Sequence, residues 1–334
     1  MNLGSLEFEP MKQYTEFFDV LRGAIKRETE ALNYYYHAGE KSPSPENRSL
    51  LTQLAEEERR HRIVLVQEYK NLKRLWSGKS KEVFLEKKRV SYHLPDEPIY
   101  NHVQSLKLVD LAGICLPTEF VGGDFFDTFV IEDERKMGLF LFDVMGHGME
   151  AMDLKAKAKT EWGKLKELFL EKEVYFLLLS PSSVITQLNQ LLWHECQRLA
   201  SFLSVFYVVV DLSKNRLIYA SAGHEPPILF QKQGYSHLIE SDLLLGIDQD
   251  KTYGEEIMEI HAGDILVMFT DGVVESQNPD DEEFSRKSLV RVVEENKNRT
   301  ATEIIHQILM ALKDFMGGKP LIDEFTLAVV KMSQ

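Results

Sequence analysis

The sequence predicts an α+β protein in which a helical hairpin precedes a larger domain of strands and helices. Apolar residues in the first part of the chain recur at steps of three and four, which is helical spacing. The remainder contains short apolar and β-branched runs between turns, together with longer helical stretches. A chain of 334 residues, 44% of them hydrophobic, is long enough for two domains with separate cores. We therefore expect a helical hairpin at 1–76, a connector at 77–105 and an α+β domain at 106–334.

The first helix of the hairpin is predicted at residues 14–40, and a segment with two prolines ends it. Ser44 before Pro45 is typical of an N-cap followed by proline at the first helical position, so a second helix should begin there and extend to about residue 76. Two helices alone bury little apolar surface. We therefore expect a homodimer through the hairpin, because a four-helix bundle gives both apolar faces a partner.

The larger domain should mix strands with at least three helices. The clearest strands are predicted from apolar and β-branched runs at 139–143, 203–211, 217–222 and 265–270. Helices are predicted at 149–172, 181–198 and 302–315. This alternation indicates an α+β arrangement of ordinary single-domain size.

The charge balance excludes some partners. The net charge of −14 repels nucleic acid and anionic membranes, and it would also repel a phosphorylated substrate, so phosphate chemistry here needs local cations. The chain starts without a basic and apolar leader, and its apolar runs are too short to span a bilayer, so we expect a cytoplasmic protein. The two cysteines, Cys115 and Cys196, have neither disulfide-framework nor zinc-site spacing.

Four segments place an aspartate beside glycine or at the exit of a predicted strand. They lie at residues 122–127, 143–148, 270–272 and 323–326. Backbone can approach a ligand closely at such positions, and hard cations such as Mg²⁺ and Mn²⁺ take carboxylate oxygens as ligands. Two cations held in this way could activate water for attack on a phosphate, without a protein nucleophile.

The order and spelling of these segments resemble the metal-dependent serine/threonine phosphatases of the protein phosphatase type 2C class, in the bacterial branch typified by stage II sporulation protein E. The resemblance covers about residues 106–331. It is carried by the segments VGGDFFD (121–127), FDVMGHG (142–148), SAGHEPP (221–227) and GDILVMFTDGVVES (263–276). It implies that residues 106–334 form a phosphatase domain with an α/β/β/α sandwich and a centre of two Mn²⁺ or Mg²⁺ ions.

The resemblance also implies which residues bind the two metal ions. Asp124, Asp143, Asp271 and Asp323 would be the metal-binding and hence catalytic carboxylates, and Val144 would bind through its backbone carbonyl. Asp143 would bridge the two ions. The implied substrate is a phosphoserine or phosphothreonine on a small regulatory protein, of the anti-sigma-factor antagonist type.

Two departures from the family pattern bear on this expectation. Glu324 stands where the family usually has a second aspartate, although the first aspartate, Asp323, is the expected ligand. No arginine is clearly placed to bind the substrate phosphate, which is common in the bacterial branch. Asn189 and His224, two polar residues in family-like segments, are interpreted as structural. His147 would shape the turn beside Asp143, and both a role in the site and a role as a hydrogen-bonded turn residue stay open for it.

The hairpin carries a second candidate metal site. Glu28 lies on the apolar face of the first helix, and Glu58 and His61 form a Glu-x-x-His arrangement on the second. This resembles half of a rubrerythrin or ferritin-like di-iron bundle, which two chains would complete. Bound iron could then regulate the phosphatase. The alternative is a metal-free dimerisation hairpin with a solvated charged face.

Two other functions remain as alternatives. Residues 122–126 are similar to the GGDEF signature of diguanylate cyclases, but Phe125 stands where that signature needs an acidic residue. The second alternative is a non-catalytic signalling scaffold, in which a phosphatase fold binds a partner without turnover. Mn²⁺-dependent phosphatase activity separates the enzyme from the scaffold, and incubation with GTP tests the cyclase.

Overall fold

The structure is a computed structural model of the 334-residue chain. It describes residues 24–27, 29, 31–39, 41–45, 47–52, 54–55, 59, 62, 65, 94, 109–116, 123–131, 135–145, 149–171, 174–239, 242–321 and 323–333. The chain divides into two compact units, Met1–Lys87 and Lys88–Gln334.

The described part of the first unit is helical on both sides of a short turn. Ile25 and Leu32, both on the predicted apolar face, are buried. The Ser44 hydroxyl accepts a hydrogen bond from the Asn47 backbone N–H at 3.3 Å, as an N-cap does, so the predicted start of the second helix is confirmed.

The second unit contains two antiparallel sheets of five strands each. The first sheet has the order β1-β10-β9-β6-β7, and the second has the order β2-β3-β4-β5-β8. The strands are β1 Val109–Leu116, β2 Phe125–Ile131, β3 Lys136–Val144, β4 Leu203–Asp211, β5 Arg216–Ala222, β6 Ile228–Gln231, β7 Gly234–His237, β8 Glu256–Glu259, β9 Ile265–Phe269 and β10 Phe325–Met332.

Five α-helices are described in this unit. They are α1 Met149–Glu171, α2 Pro181–Leu199, α3 Asp271–Val274, α4 Ser285–Asn296 and α5 Ala301–Met316. The predicted strands and helices of this domain are confirmed to within three residues at each end. Within the described residues, none of these helices is both long and apolar enough to cross a membrane.

Side chains on the two faces of the sheets form three apolar layers. Helices α1 and α2 pack on the outer face of the second sheet through residues such as Trp162 and Leu188. Helices α4 and α5 pack on the outer face of the first sheet. Between the sheets, Phe206 and Val208 of β4 meet Leu266 and other residues of the first sheet. The result is the expected α/β/β/α sandwich, since alternate residues of β4 face opposite layers.

The β4–β5 turn is fixed by a buried aspartate. Asp211 accepts hydrogen bonds from the backbone N–H and the hydroxyl of Ser213, at 3.1 and 2.5 Å. Burial alone would raise the pKa of Asp211, but the bonds from Ser213 and the charges of Lys136 and Arg216 hold this pKa below the ordinary value.

Candidate metal centre at the sheet edges

The second sheet supplies one half of the candidate site. Asp124 immediately precedes β2, and Asp143 is the last but one residue of β3. Strands β2 and β3 are antiparallel, and Phe125 pairs with Phe142. Asp124 at the start of β2 and Asp143 near the end of β3 therefore lie at the same end of this sheet. A Cβ atom added to Gly123 would lie 2.9 Å from the Val144 carbonyl oxygen and 3.1 Å from Asp143 Oδ1. Glycine at this position therefore permits close contact between the two segments.

The first sheet supplies the other half. Asp271 opens α3 just after β9, and residues 323 and 324 lead into β10. A Cβ atom added to Gly272 would lie 1.8 Å from the Glu324 carbonyl oxygen, so no side chain fits there without displacing the backbone. Thr270 and Thr326 hold the segments together, since the Thr326 N–H donates to Thr270 Oγ1 at 2.9 Å.

Glu324 joins the two halves across the sandwich. Its carboxylate accepts hydrogen bonds from the backbone N–H of Asp124, at 2.6 Å, and from that of Gly123. The Thr270 hydroxyl donates to Asp124 Oδ2 at 2.8 Å. The four aspartate segments of the sequence therefore meet at one place, where strands of both sheets begin or end.

The charges at this place repel each other. Burial first, and then the negative charge of Glu324, raise the pKa of Asp124, whose side chain is only 2% exposed, well above the ordinary value. Burial also raises the pKa of Glu324. The neighbouring Cys115 has its pKa raised to about 11 by burial and by Asp124, so it is a thiol at neutral pH. Carboxylates forced together in this way are a favourable site for a cation.

The donor set fits a hard divalent cation in its chemistry. Carboxylate oxygens and one backbone carbonyl are the ligands that Mg²⁺ and Mn²⁺ prefer. In the described part of the chain, however, no three His, Cys, Asp or Glu side chains converge closely enough to hold an ion. Asp323 is exposed, and its Oδ1 accepts the Glu324 N–H at 2.8 Å. The fold thus brings together the segments that carry the aspartates, and the aspartate side chains lie farther apart than in a closed ligand shell.

Asn189 and His224 occupy structural positions, as interpreted from sequence. The Asn189 side chain accepts the Gly246 N–H at 2.8 Å and donates to the Asp248 carbonyl at 2.8 Å, which ties α2 to the loop before β8. His224 Nδ1 lies 2.8 Å from Ser204 Oγ in a buried contact. His147 lies outside the described residues, as do the three hairpin candidates Glu28, Glu58 and His61.

Glu324 is the residue whose part in the site was missed from sequence. In the sequence, Glu324 is visible only as a departure from the aspartate that the family usually has. In the structure, its carboxylate accepts the two hydrogen bonds that join the two halves of the candidate site. The available signal was its place directly after an expected metal ligand.

A two-sheet sandwich with helices on both outer faces and aspartates where strands of both sheets meet defines a protein phosphatase 2C fold. Solved structures agree. The SiaA-PP2C domain of Pseudomonas aeruginosa superposes with a TM-score of 0.58 at 17% identity, over 66% of this chain and 85% of that one. The PP2C phosphatase domain of SpoIIE from Bacillus subtilis, with a fragment of its regulatory domain, gives 0.54 at 20% identity, over 68% and 64%.

The family model described as Stage II sporulation protein E (SpoIIE) matches residues 133–333, and the chain belongs to this family. The Rubrerythrin family model matches residues 19–112, so a rubrerythrin-like region precedes the phosphatase fold. The segment similar to the cyclase signature leads into β2 of the phosphatase sandwich, and the cyclase alternative thereby loses its basis.

Curated relatives resemble the same part of the chain. Phosphoserine phosphatase RsbU of Bacillus subtilis (strain 168) is 29% identical over 228 residues, which are 67% of this chain and 63% of that protein. Phosphoserine phosphatase RsbP of the same organism is 24% identical over 46% of this chain and 37% of its own length. The chain thus spans less than two thirds of the length of these relatives.

Proposed function

We propose that the protein is a Mn²⁺- or Mg²⁺-dependent protein serine/threonine phosphatase. The observation that carries the proposal is the pair of hydrogen bonds that the Glu324 carboxylate accepts from the backbone N–H groups of Gly123 and Asp124, because it brings aspartate segments of two different sheets to one place. Membership of the SpoIIE family and the phosphoserine phosphatases among its relatives support the same activity.

The proposed metal ligands are Asp124, Asp143, Asp271 and Asp323, with the backbone carbonyl of Val144. Two cations bound there would supply an activated water and neutralise the phosphate, as in other two-metal hydrolases. The surrounding residues orient these ligands. The Thr270 hydroxyl donates to Asp124 Oδ2 and thereby orients this carboxylate.

The substrate we propose is a phosphoserine or phosphothreonine on a small regulatory protein of the anti-sigma-factor antagonist type. The resemblance to the stage II sporulation branch implies this class, and the names of RsbU and RsbP state phosphoserine as the target of those relatives. A cytoplasmic location fits such a substrate.

The N-terminal region is proposed as the regulatory module of the phosphatase. Two chains would form a homodimer in which Glu28, Glu58 and His61 occur twice and complete a di-iron site. The Rubrerythrin match over residues 19–112 supports this proposal. Iron analysis of the purified protein and of a Glu58→Ala variant, with the mass of each in solution, tests it. Equal iron content in both proteins contradicts the site, and a monomer contradicts the dimer.

Hydrolysis of an aryl phosphate with and without Mn²⁺ tests the phosphatase proposal. We expect Asp143→Ala and Asp271→Ala to abolish activity, whereas Asp250→Ala, on an exposed turn, should retain it. Equal activity in all variants would refute the assignment of the site. If the wild-type protein binds Mn²⁺ without turnover, the phosphatase proposal fails in favour of a signalling scaffold.

A further inference from the structure

Strands β3 and β4 place a serine directly opposite the aspartate that is expected to bridge the two metal ions. Asp143 and Ser204 are paired residues in the antiparallel ladder of these strands. The residues next to them along both strands pack under helices α1 and α2; they are Phe142, Val144, Leu203 and Val205. Because successive side chains of a strand point to opposite faces, Asp143 and Ser204 both point into the space between the two sheets. The Cβ atoms of residues paired in this way lie about 4.5–5.5 Å apart, which is within reach of a hydrogen bond between the side chains.

A buried histidine contacts this serine on the same side of the sheet. His224 Nδ1 lies 2.8 Å from Ser204 Oγ, and both residues are buried. The His224 ring also lies against the ring of Phe206, with 6.5 Å between the ring centres, and Phe206 belongs to the apolar layer between the sheets. His224, Ser204 and Asp143 therefore follow one another along one face of the second sheet.

The chemistry of the three groups sets the direction of the hydrogen bonds. A neutral imidazole donates through one ring nitrogen and accepts through the other, whereas a hydroxyl donates one bond and can accept two. The Ser204 proton can therefore go to His224 or to the carboxylate opposite. A hydrogen bond to an ionised carboxylate is roughly twice as strong as one between neutral groups, so the carboxylate is the favoured acceptor. His224 then carries its own proton on Nδ1 and donates to Ser204 Oγ.

A neutral donor suits a carboxylate that binds two cations. A lysine or arginine would compensate the charge of Asp143 and compete with the metal ions, whereas a hydroxyl orients the carboxylate and leaves its charge unchanged. The segment of Asp124 has the same device, because the Thr270 hydroxyl donates to Asp124 Oδ2 at 2.8 Å. Loss of such a hydrogen bond to a metal ligand typically lowers metal affinity about 10- to 100-fold.

We propose that His224 and Ser204 form a relay of two hydrogen bonds that positions Asp143 for the metal ions. His224 Nδ1–H donates to Ser204 Oγ, and the Ser204 hydroxyl donates to the Asp143 carboxylate. The inference rests on the proposed phosphatase function and adds two positioning residues to its metal centre. Neither residue is a metal ligand or contacts the substrate. Their removal should therefore weaken Mn²⁺ binding and leave KM for a phosphoserine peptide unchanged at saturating Mn²⁺.

The test measures Mn²⁺ affinity by calorimetry, which needs no turnover. We expect Ser204→Ala to bind Mn²⁺ about 10- to 100-fold more weakly than the wild type. His224→Phe retains an aromatic ring beside Phe206 but loses the bond to Ser204, so it should show a smaller loss in the same direction. Ser204→Thr retains the hydroxyl and should restore most of the affinity.

The matched control is Ser221→Ala. Ser221 is buried on the same face of the sheet, where it pairs with Phe206, and within the described residues its hydroxyl makes no hydrogen bond. This variant should bind Mn²⁺ as the wild type does. Circular dichroism and thermal melting without Mn²⁺ check that each variant folds.

Three results would overturn the relay while the phosphatase function stands. They are wild-type Mn²⁺ affinity in Ser204→Ala, an equal loss of affinity in Ser221→Ala, and a Ser204→Thr affinity as low as that of Ser204→Ala. If the wild type binds Mn²⁺ without hydrolysing the peptide, the phosphatase function fails instead, and the calorimetric comparison still decides on the relay. A wild type that binds no Mn²⁺ overturns both.

Discussion

Glu324 has two effects on the candidate site: its carboxylate positions the backbone of Gly123 and Asp124, and its negative charge raises the pKa of Asp124. Replacement of Glu324 tests the two effects separately. Glu324→Ala removes the acceptor of two backbone N–H groups, those of Gly123 and Asp124. A hydrogen bond to a charged group contributes about 1.5–3 kcal/mol, so the two bonds amount to roughly 3–6 kcal/mol. Water can replace part of this, because Glu324 is only half-buried. We expect a net loss of about 2–3 kcal/mol in the ordering of this segment.

A second effect of the same substitution has the opposite sign. The charge of Glu324 raises the pKa of Asp124, so its removal makes ionised Asp124 easier to form. In the metal-free protein the two effects offset each other, and the free energy of unfolding should change by less than about 1 kcal/mol. With Mn²⁺ bound, the cation itself favours ionised Asp124, so the loss of backbone positioning dominates.

The expected result of Glu324→Ala is a weaker affinity for Mn²⁺. A loss of about 2–3 kcal/mol corresponds to a roughly 30- to 150-fold higher Mn²⁺ concentration at half-maximal activity or binding. Glu324→Gln, which retains one acceptor oxygen, should give a smaller change. Activity at saturating Mn²⁺ should stay within a few-fold of the wild type.

Titration of activity with Mn²⁺ and calorimetry of Mn²⁺ binding measure this effect. The matched control is Glu255→Ala, since Glu255 also accepts a backbone N–H, that of Ser182 at 3.1 Å, outside the four aspartate segments. A Glu324→Ala variant with the half-saturating Mn²⁺ concentration of the wild type would refute the reasoning.

Three further substitutions test other features of the fold. Gly272→Ala should lower the free energy of unfolding by more than about 2 kcal/mol and abolish Mn²⁺ binding, because the added Cβ atom would lie 1.8 Å from the Glu324 carbonyl oxygen. Thermal denaturation measures the loss of stability. The control is Gly163→Ala, where the added Cβ atom meets open space. Ala200→Gly should raise the free energy of unfolding by about 0.5–1 kcal/mol in urea titrations, since Ala200 ends α2 with φ of 45°. Asp211→Asn should destabilise the protein by about 1–2 kcal/mol at neutral pH. Because the folded pKa of Asp211 is below its unfolded value, this difference is present above about pH 4 and should shrink as the pH falls through the folded pKa. If the stability difference between the wild type and Asp211→Asn grows on acidification, the prediction for Asp211 is wrong.

Strong local patterns made part of the fold predictable. Strand β4 was predicted with its observed bounds, because it is buried on both faces and therefore reads as one continuous apolar run. Helix α5 was predicted to within one residue at each end. Its start has a capping box, in which the Thr300 side chain accepts the Glu303 N–H and the Glu303 carboxylate accepts the Thr300 N–H.

Other elements lack such patterns. Helix α4 was not predicted, since charged residues outnumber apolar ones in Ser285–Asn296 and its first residue has a positive φ. Strands β6, β7 and β8 have only four residues each, too few to show a period. Their place in the sheets depends on pairing with distant strands, which local sequence does not encode.

The candidate metal centre likewise combines features that a local sequence pattern indicates with features that depend on distant residues. The order of the aspartate motifs indicated the four segments through a family resemblance, and the structure brings these segments together. The bond between Glu324 and Asp124 joins residues 200 positions apart, so no local spacing could predict it.

Strand β10 lies between β1 and β9 in the first sheet, although it follows both in the chain. During translation the ribosome therefore delivers this interior strand after both of its neighbours, together with Glu324, which joins the two halves of the candidate site. A nascent chain that stops before β10 would leave β1 and β9 without their shared partner and the aspartates without their common anchor. A chain that ends before β10 would therefore lack both an interior strand of this sheet and the carboxylate that joins the aspartate segments.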